Sequence, residues 1–120
     1  MRRILLSLIL CVHSASMSAA SGVFHTTAFE GGRSVSLSLT EGGPADDPAF
    51  DFDVVITLSE IDGGGAVLYR DEGRHGASVR CVSPATVRVN SAEYAVDISA
   101  LPGTDWKHDL WATLCTAPAS

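Results

Sequence analysis

From Ser34 onward the chain alternates between apolar and polar positions. In "SVSLSLT", Val35, Leu37 and Leu39 fall on one side of an extended backbone, with Ser34, Ser36 and Ser38 on the other. That period of two marks a half-covered strand. "FDFDVVITLS" repeats it: Phe50, Phe52, Val54, Ile56 and Leu58 share one face, while Asp51, Asp53, Thr57 and Ser59 share the opposite one. Only Val55 departs from the pattern, so the outer face is expected to be partly covered. Shorter strand candidates follow at 66–70, 77–83, 86–90, 94–99 and 110–116, the last being "LWATLCT". "EGGPADDP", "IDGGG", "DEGRHG", "SP", "NSAE" and "LPGTD" separate them as turn-type punctuation. No sustained helical period is read anywhere. About seven short strands at this spacing predict an all-β fold, a small antiparallel β-sandwich or barrel.

One hairpin can be specified further. An even-length turn in "TVRVNSAEYAVDI" pairs Val89 with Tyr94 and Val87 with Val96, placing all four on one face. An odd turn would slip the register and split the apolar set between faces. The even turn also sets Arg88 diagonal to Asp97, in reach of a weak ion pair.

The first twenty residues stand outside this pattern. Arg2 and Arg3 precede the apolar run Ile4–Val12, which is too short to span a bilayer, and small residues follow. Ser18 and Ala20 fit the small-x-small pattern of a signal peptidase site, so cleavage is expected after Ala20. Residues 1–20 are read as a secretory leader and 21–120 as a single all-β domain, secreted or periplasmic. Leu10 stands before Cys11 where a lipid-attachment signal wants a small residue, so Cys11 is expected to leave with the leader. No second long apolar run follows, and no membrane anchor is expected after cleavage.

Without the leader, six Lys+Arg remain against fourteen Asp+Glu, a net charge of −8. Such a domain is repelled by nucleic acid and by anionic lipid headgroups, which removes both from the expected partners. Cys81 and Cys115 then form a pair in an oxidising compartment. With no C-x-x-C and no close ligand pairs, they read as a disulfide rather than a redox or zinc site. Trp111 is expected close to the bridge. The likeness to immunoglobulin domains is one of general architecture only, because these cysteines stand too close together in sequence for that family.

Candidate chemistry is sparse. His108 and Asp109 adjoin, but neighbours on a strand point to opposite faces, so the pair reads as polar residues entering a final strand. No G-x-S-x-G elbow is present, and no catalytic residue is assigned. Asp46, Asp47, Asp51 and Asp53 are weak metal candidates, since their spacing matches no calcium loop. His25, His75 and His108 are too scattered to form a local ligand pair. Trp106, Arg70, Arg74 and His75 are the candidate partner-binding residues: a loop aromatic suited to anchoring an interface, and a charged, glycine-rich turn. Trp106 reads equally as a buried plug, and the turn reads first as an exposed hairpin tip and only second as a contact loop. The functional expectation is a non-catalytic protein-binding module without a cofactor, an inhibitor or envelope accessory protein. The alternative is a metal-dependent module or enzyme built on the acidic 46–53 loop and the histidines.

Overall fold

The computed structural model describes residues 22–71 and 73–116. The segment read as a leader, with Cys11 and the expected cleavage after Ala20, lies outside the described residues. Among the described residues, seven strands form one antiparallel sheet: β1 (Gly22–Ala28), β2 (Ser34–Pro44), β3 (Phe52–Ile61), β4 (Val67–Arg70), β5 (His75–Arg80), β6 (Thr86–Val89) and β7 (Ala92–Ala95). The order is β1-β2-β3-β5-β6-β7, a simple meander, with β4 also paired to β3. β4 and β5 run in the same direction along one side of β3, separated by the turn that begins at Asp71.

Register follows from the alternation. Leu37 lies opposite Leu58, Leu39 opposite Ile56, and Val54 opposite Ala77, so the apolar residues line up across the sheet on one face. Val79 and Val87, paired across β5 and β6, continue that face and are fully buried. The opposite face carries a polar row in which Thr26, Ser36, Ser59 and Arg70 stand side by side. A bulge at Phe24 lets two sequence neighbours, Phe24 and His25, both reach the covered face.

Where the alternation predicts a sandwich or barrel, the structure has one open sheet. Its outer strands β1 and β7 are not paired with each other. The apolar face is covered by a helix, α1 (Trp106–Cys115), and this corrects the strand expected at 110–116. "LWATLCT" fits both periods. Trp111, Thr113 and Cys115 alternate, while Trp106, Leu110 and Leu114 recur every fourth residue. The tie is broken upstream, where Asp105 caps the helix by accepting from the Lys107 N–H at 2.9 Å. Tertiary packing then selects the helical stripe: Leu110 is fully buried, and Trp106, Trp111, Leu114 and Cys115 pack around the core. The sequence-predicted count of seven strands agrees only by compensation, because β1 takes the place of the strand that is a helix.

The β6–β7 hairpin keeps the expected even parity with a shorter loop. Val89 pairs with Ala92 and Val87 with Tyr94, so the turn is Asn90–Ser91 rather than four residues. Asn90 and Ser91 adopt φ of 49° and 69°, the left-handed pair that a two-residue hairpin turn requires. Arg88 does not reach Asp97. Its guanidinium donates to Asp47 at 2.9 Å and lies 4.1 Å from the centre of the Phe50 ring.

The disulfide Cys81–Cys115 is present, with Cα atoms 5.5 Å apart. It joins the end of β5 to the last residue of α1 instead of linking two strands. Trp111 lies beside it as expected, its indole Nε1–H donating to the Cys81 carbonyl at 3.1 Å.

Candidate functional site

The covered face of the sheet is longer than the helix above it. At the N-terminal end of α1 this leaves a groove of ≈ 380 Å³ lined by Leu37, Ile56, Leu58, Val89, Trp106, Gly76, His75 and Asp71. Each wall follows from register. Leu37 and Leu58 are cross-strand partners, and Ile56 pairs with His75, which places the imidazole at the rim of an apolar floor. Trp106, first residue of α1 and half-buried, forms the side opposite the sheet. Lys107 Nζ stands 5.4 Å from the Trp106 ring centre and bonds Asp105 at 3.0 Å, which keeps that charge on the outside of the helix start.

His75 and Asp71 form the polar rim. His75 Nε2 lies 2.7 Å from Asp71 Oδ2, and the Gly73 N–H donates to Asp71 Oδ1 at 2.8 Å. These bonds hold the Asp71 carboxyl below the usual carboxylate range, the backbone donor contributing most and His75 next. The result is an apolar slot with one anionic edge.

Of the four sequence-predicted partner-binding residues, the structure brings Trp106 and His75 together on this groove. The other two are elsewhere. Arg70 is exposed on the opposite face beside Ser59, and Arg74 makes a two-point ion pair with Glu41.

Three of the four acidic candidates, Asp47, Asp51 and Asp53, bond groups in and around the loop. Asp47 accepts from the Ala49 N–H at 2.9 Å as well as from Arg88. Asp51 accepts from the Cys81 N–H at 2.7 Å. Asp53 accepts from Ser78 at 2.7 Å and from the Asp46 N–H at 3.1 Å. Phe50, nearly buried between Arg80 and Arg88, pins this loop to the sheet. Among the described residues, no three His, Cys, Asp or Glu side chains converge as metal ligands.

A second polar constellation escaped the sequence reading. Asp109 is buried in the first turn of α1, where its Oδ2 lies 2.7 Å from His25 Nδ1 on β1. The Gly103 N–H donates to both Asp109 oxygens at 3.0 and 3.1 Å, from a backbone turned at φ +87°. His25 Nε2 meets the Thr27 hydroxyl at 3.0 Å, and His108 Nδ1 approaches Asp109 Oδ1 at 3.5 Å. The strand argument that kept His108 and Asp109 apart is therefore corrected, because on a helix successive residues are only about 100° apart. Burial pushes the Asp109 carboxyl up, but the bonds from His25, Gly103 and His108 outweigh it and hold the group below the usual carboxylate range. The cluster ties β1, the loop at Gly103 and α1 together. Only the Asp105 cap and the fourfold recurrence of Leu110 and Leu114 could have signalled it, by making 106–115 a helix. The contact of His25 with a residue 84 positions away has no local signature.

No protein-family model, curated protein or solved structure matches this chain.

Proposed function

We propose that this protein is an exported, non-catalytic binding module that docks on another protein, taking an apolar side chain of that partner into the groove beneath Trp106. The observation that carries the reading is the apolar floor of Leu37, Ile56, Leu58 and Val89, left open between the sheet and Trp106 and edged by Asp71 and His75. The net charge of −8 without the leader favours a basic partner, an extracytoplasmic enzyme under inhibition or a component of an envelope assembly. Export is supported by the N-terminal pattern of the sequence together with the cysteine pair.

The test is a cross-linking experiment with a photoreactive residue in place of Leu58, performed on the mature protein in an extract of its export compartment. One saturable adduct that Trp106→Ala abolishes supports the reading, and its absence would sink it. The hydroxyl–imidazole–carboxylate order of Thr27, His25 and Asp109 offers a direct check on the non-catalytic part. Covalent labelling of Thr27 by a fluorophosphonate, lost in His25→Gln, would replace binding with acyl-transfer chemistry. Calorimetric titration with calcium and zinc checks the metal-dependent alternative, for which sub-micromolar binding would be decisive.

A further inference from the structure

α1 leaves much of its face of the sheet bare. Its ten residues run about 15 Å, whereas the eleven residues of β2 and the ten of β3 run about 35 Å. The groove under Trp106 therefore opens onto the next row of side chains. Leu37 pairs with Leu58, and two residues along each strand Val35 pairs with Glu60 on the same face. Thr27 extends that row onto β1 and Tyr69 onto β4, and both are exposed. One step further, Phe29 is 56% exposed and lines a cleft of ≈ 540 Å³ with Glu30, Arg33, Val35 and Glu60. Groove and cleft adjoin along β2 and β3. With about 6.7 Å between rows, the trough from Ile56 past Leu58 and Val35 to Phe29 is about 20 Å long.

The floor decides what can lie on it. β2 is bonded to β1 and β3, and β3 to β2 on one side and to β4 and β5 on the other, so the main-chain groups of the floor face one another rather than the trough. An extended peptide laid on this face would bury N–H and C=O groups with nothing to bond. A helix satisfies its own, and four turns of it span about 22 Å. Charge selects its flanks. Glu30, Glu60 and Asp71 edge the trough against Arg33 and His75, with Glu60 paired to Arg33 at 3.5 Å and Asp71 to His75 at 2.7 Å. The surplus is anionic, like the net charge of −8 on the chain without its leader. Resting on the docking role proposed above for the groove, we infer that the trough from Trp106 to Phe29 receives a basic amphipathic helix of a protein partner. Its apolar stripe seats one side chain under Trp106 and others on Val35 and Phe29, and its flanking lysines or arginines meet Asp71, Glu60 and Glu30.

The probe is an acetylated fourteen-residue peptide, Lys-Leu-Lys-Ala-Leu-Leu-Lys-Ala-Leu-Lys-Ala-Leu-Leu-Lys, titrated into the mature protein and followed by tryptophan fluorescence. One control keeps the composition but shuffles the order so that no apolar face forms, and another puts proline in place of the middle alanine. Saturable binding is expected, weakened at least tenfold in either control and by Trp106→Ala. Phe29→Ser, at a residue too exposed to carry the fold, is expected to weaken binding at least fivefold at an unchanged circular dichroism spectrum. Equal binding of the shuffled peptide would overturn the proposal by reducing the attraction to charge alone. Undiminished binding of the proline version, lost in Trp106→Ala and indifferent to Phe29→Ser, would overturn the helix and leave groove docking standing. The same division follows if the parent peptide does not bind while the Leu58 adduct forms; with neither, both readings fall. Self-association of the mature protein that Phe29→Ser abolishes would make a second copy the occupant and overturn the partner helix.

Discussion

The two ends of α1 sit on the same sheet and are held there in opposite ways. Toward its C-terminus the helix is bolted down, with Cys115 bonded to Cys81 and Trp111 donating to the Cys81 carbonyl, and Asp109 in its first turn adds bonds with His25 and Gly103. At its N-terminus Trp106 leans over Leu37, Ile56 and Leu58 without filling the space between. Among the described residues, no buried polar side-chain atom in the first region lacks a hydrogen-bond partner. In the second, the apolar surface has none. A small domain can leave such a gap because the other end carries the burden of holding the helix. Under the proposed function, stability and recognition are thereby separated along one short element.

Breaking the bolted end should produce the largest effects. Cys115→Ser is expected to cost about 4 kcal/mol in the chain-entropy model for a loop of this size, read as a fall of many degrees in Tm with little change in native circular dichroism at low temperature. A Tm unchanged by reduction would mean that the polar cluster alone secures the helix.

Asp109→Asn comes next, at about 2–3 kcal/mol, because it removes a charged acceptor from buried donors. Chemical denaturation at neutral pH measures it. The same carboxylate predicts an acid dependence. Its folded pKa lies below the unfolded value of about 3.9, so ionisation favours folding. That contribution is complete above the unfolded value and is lost as pH falls through the folded one. The wild-type denaturation midpoint should therefore drop in acid, and the gap between wild type and Asp109→Asn should narrow there. A constant gap from neutral to strongly acid pH would contradict the assignment.

At the open end, Trp106→Ala is expected to cost about 1–2 kcal/mol, well under the loss from a fully buried tryptophan, while removing partner binding. A cost as large as that of Asp109→Asn would erase the contrast between the ends and make Trp106 a plug. Smallest of all, His75→Ala should change stability by no more than about 0.5 kcal/mol, as for an exposed side chain. Its effect should appear in docking on the groove, measured as the yield of the cross-linked adduct at Leu58.

Part of this was legible in the chain. Val35, Leu37 and Leu39, and Val54, Ile56 and Leu58, carry a period that only a strand can satisfy with one face covered, and both segments are strands. Cys81 and Cys115 pair as their isolation from other ligands implied. Trp106 and His75 were visible as unusual loop residues, although nothing local said that they share a groove with Leu37 and Leu58. β1 was not visible, because "GVFHTTA" has little alternation and its single bulge spoils what there is.

What the sequence by itself determined are the properties that depend on near neighbours: the alternating strands, the turns between them, the even parity of the β6–β7 hairpin, and the charge. The tertiary structure decided whatever depended on which distant surface was available. It chose helix over strand for 106–115, since an open sheet offered one apolar face and the fourfold stripe of Trp106, Leu110 and Leu114 could cover it. It sent Arg88 to Asp47 and Phe50 rather than to Asp97, and it brought His25 to Asp109 across 84 positions. Local periodicity records how a segment prefers to lie. The energy of burial depends on what lies opposite, and that is written in no single segment.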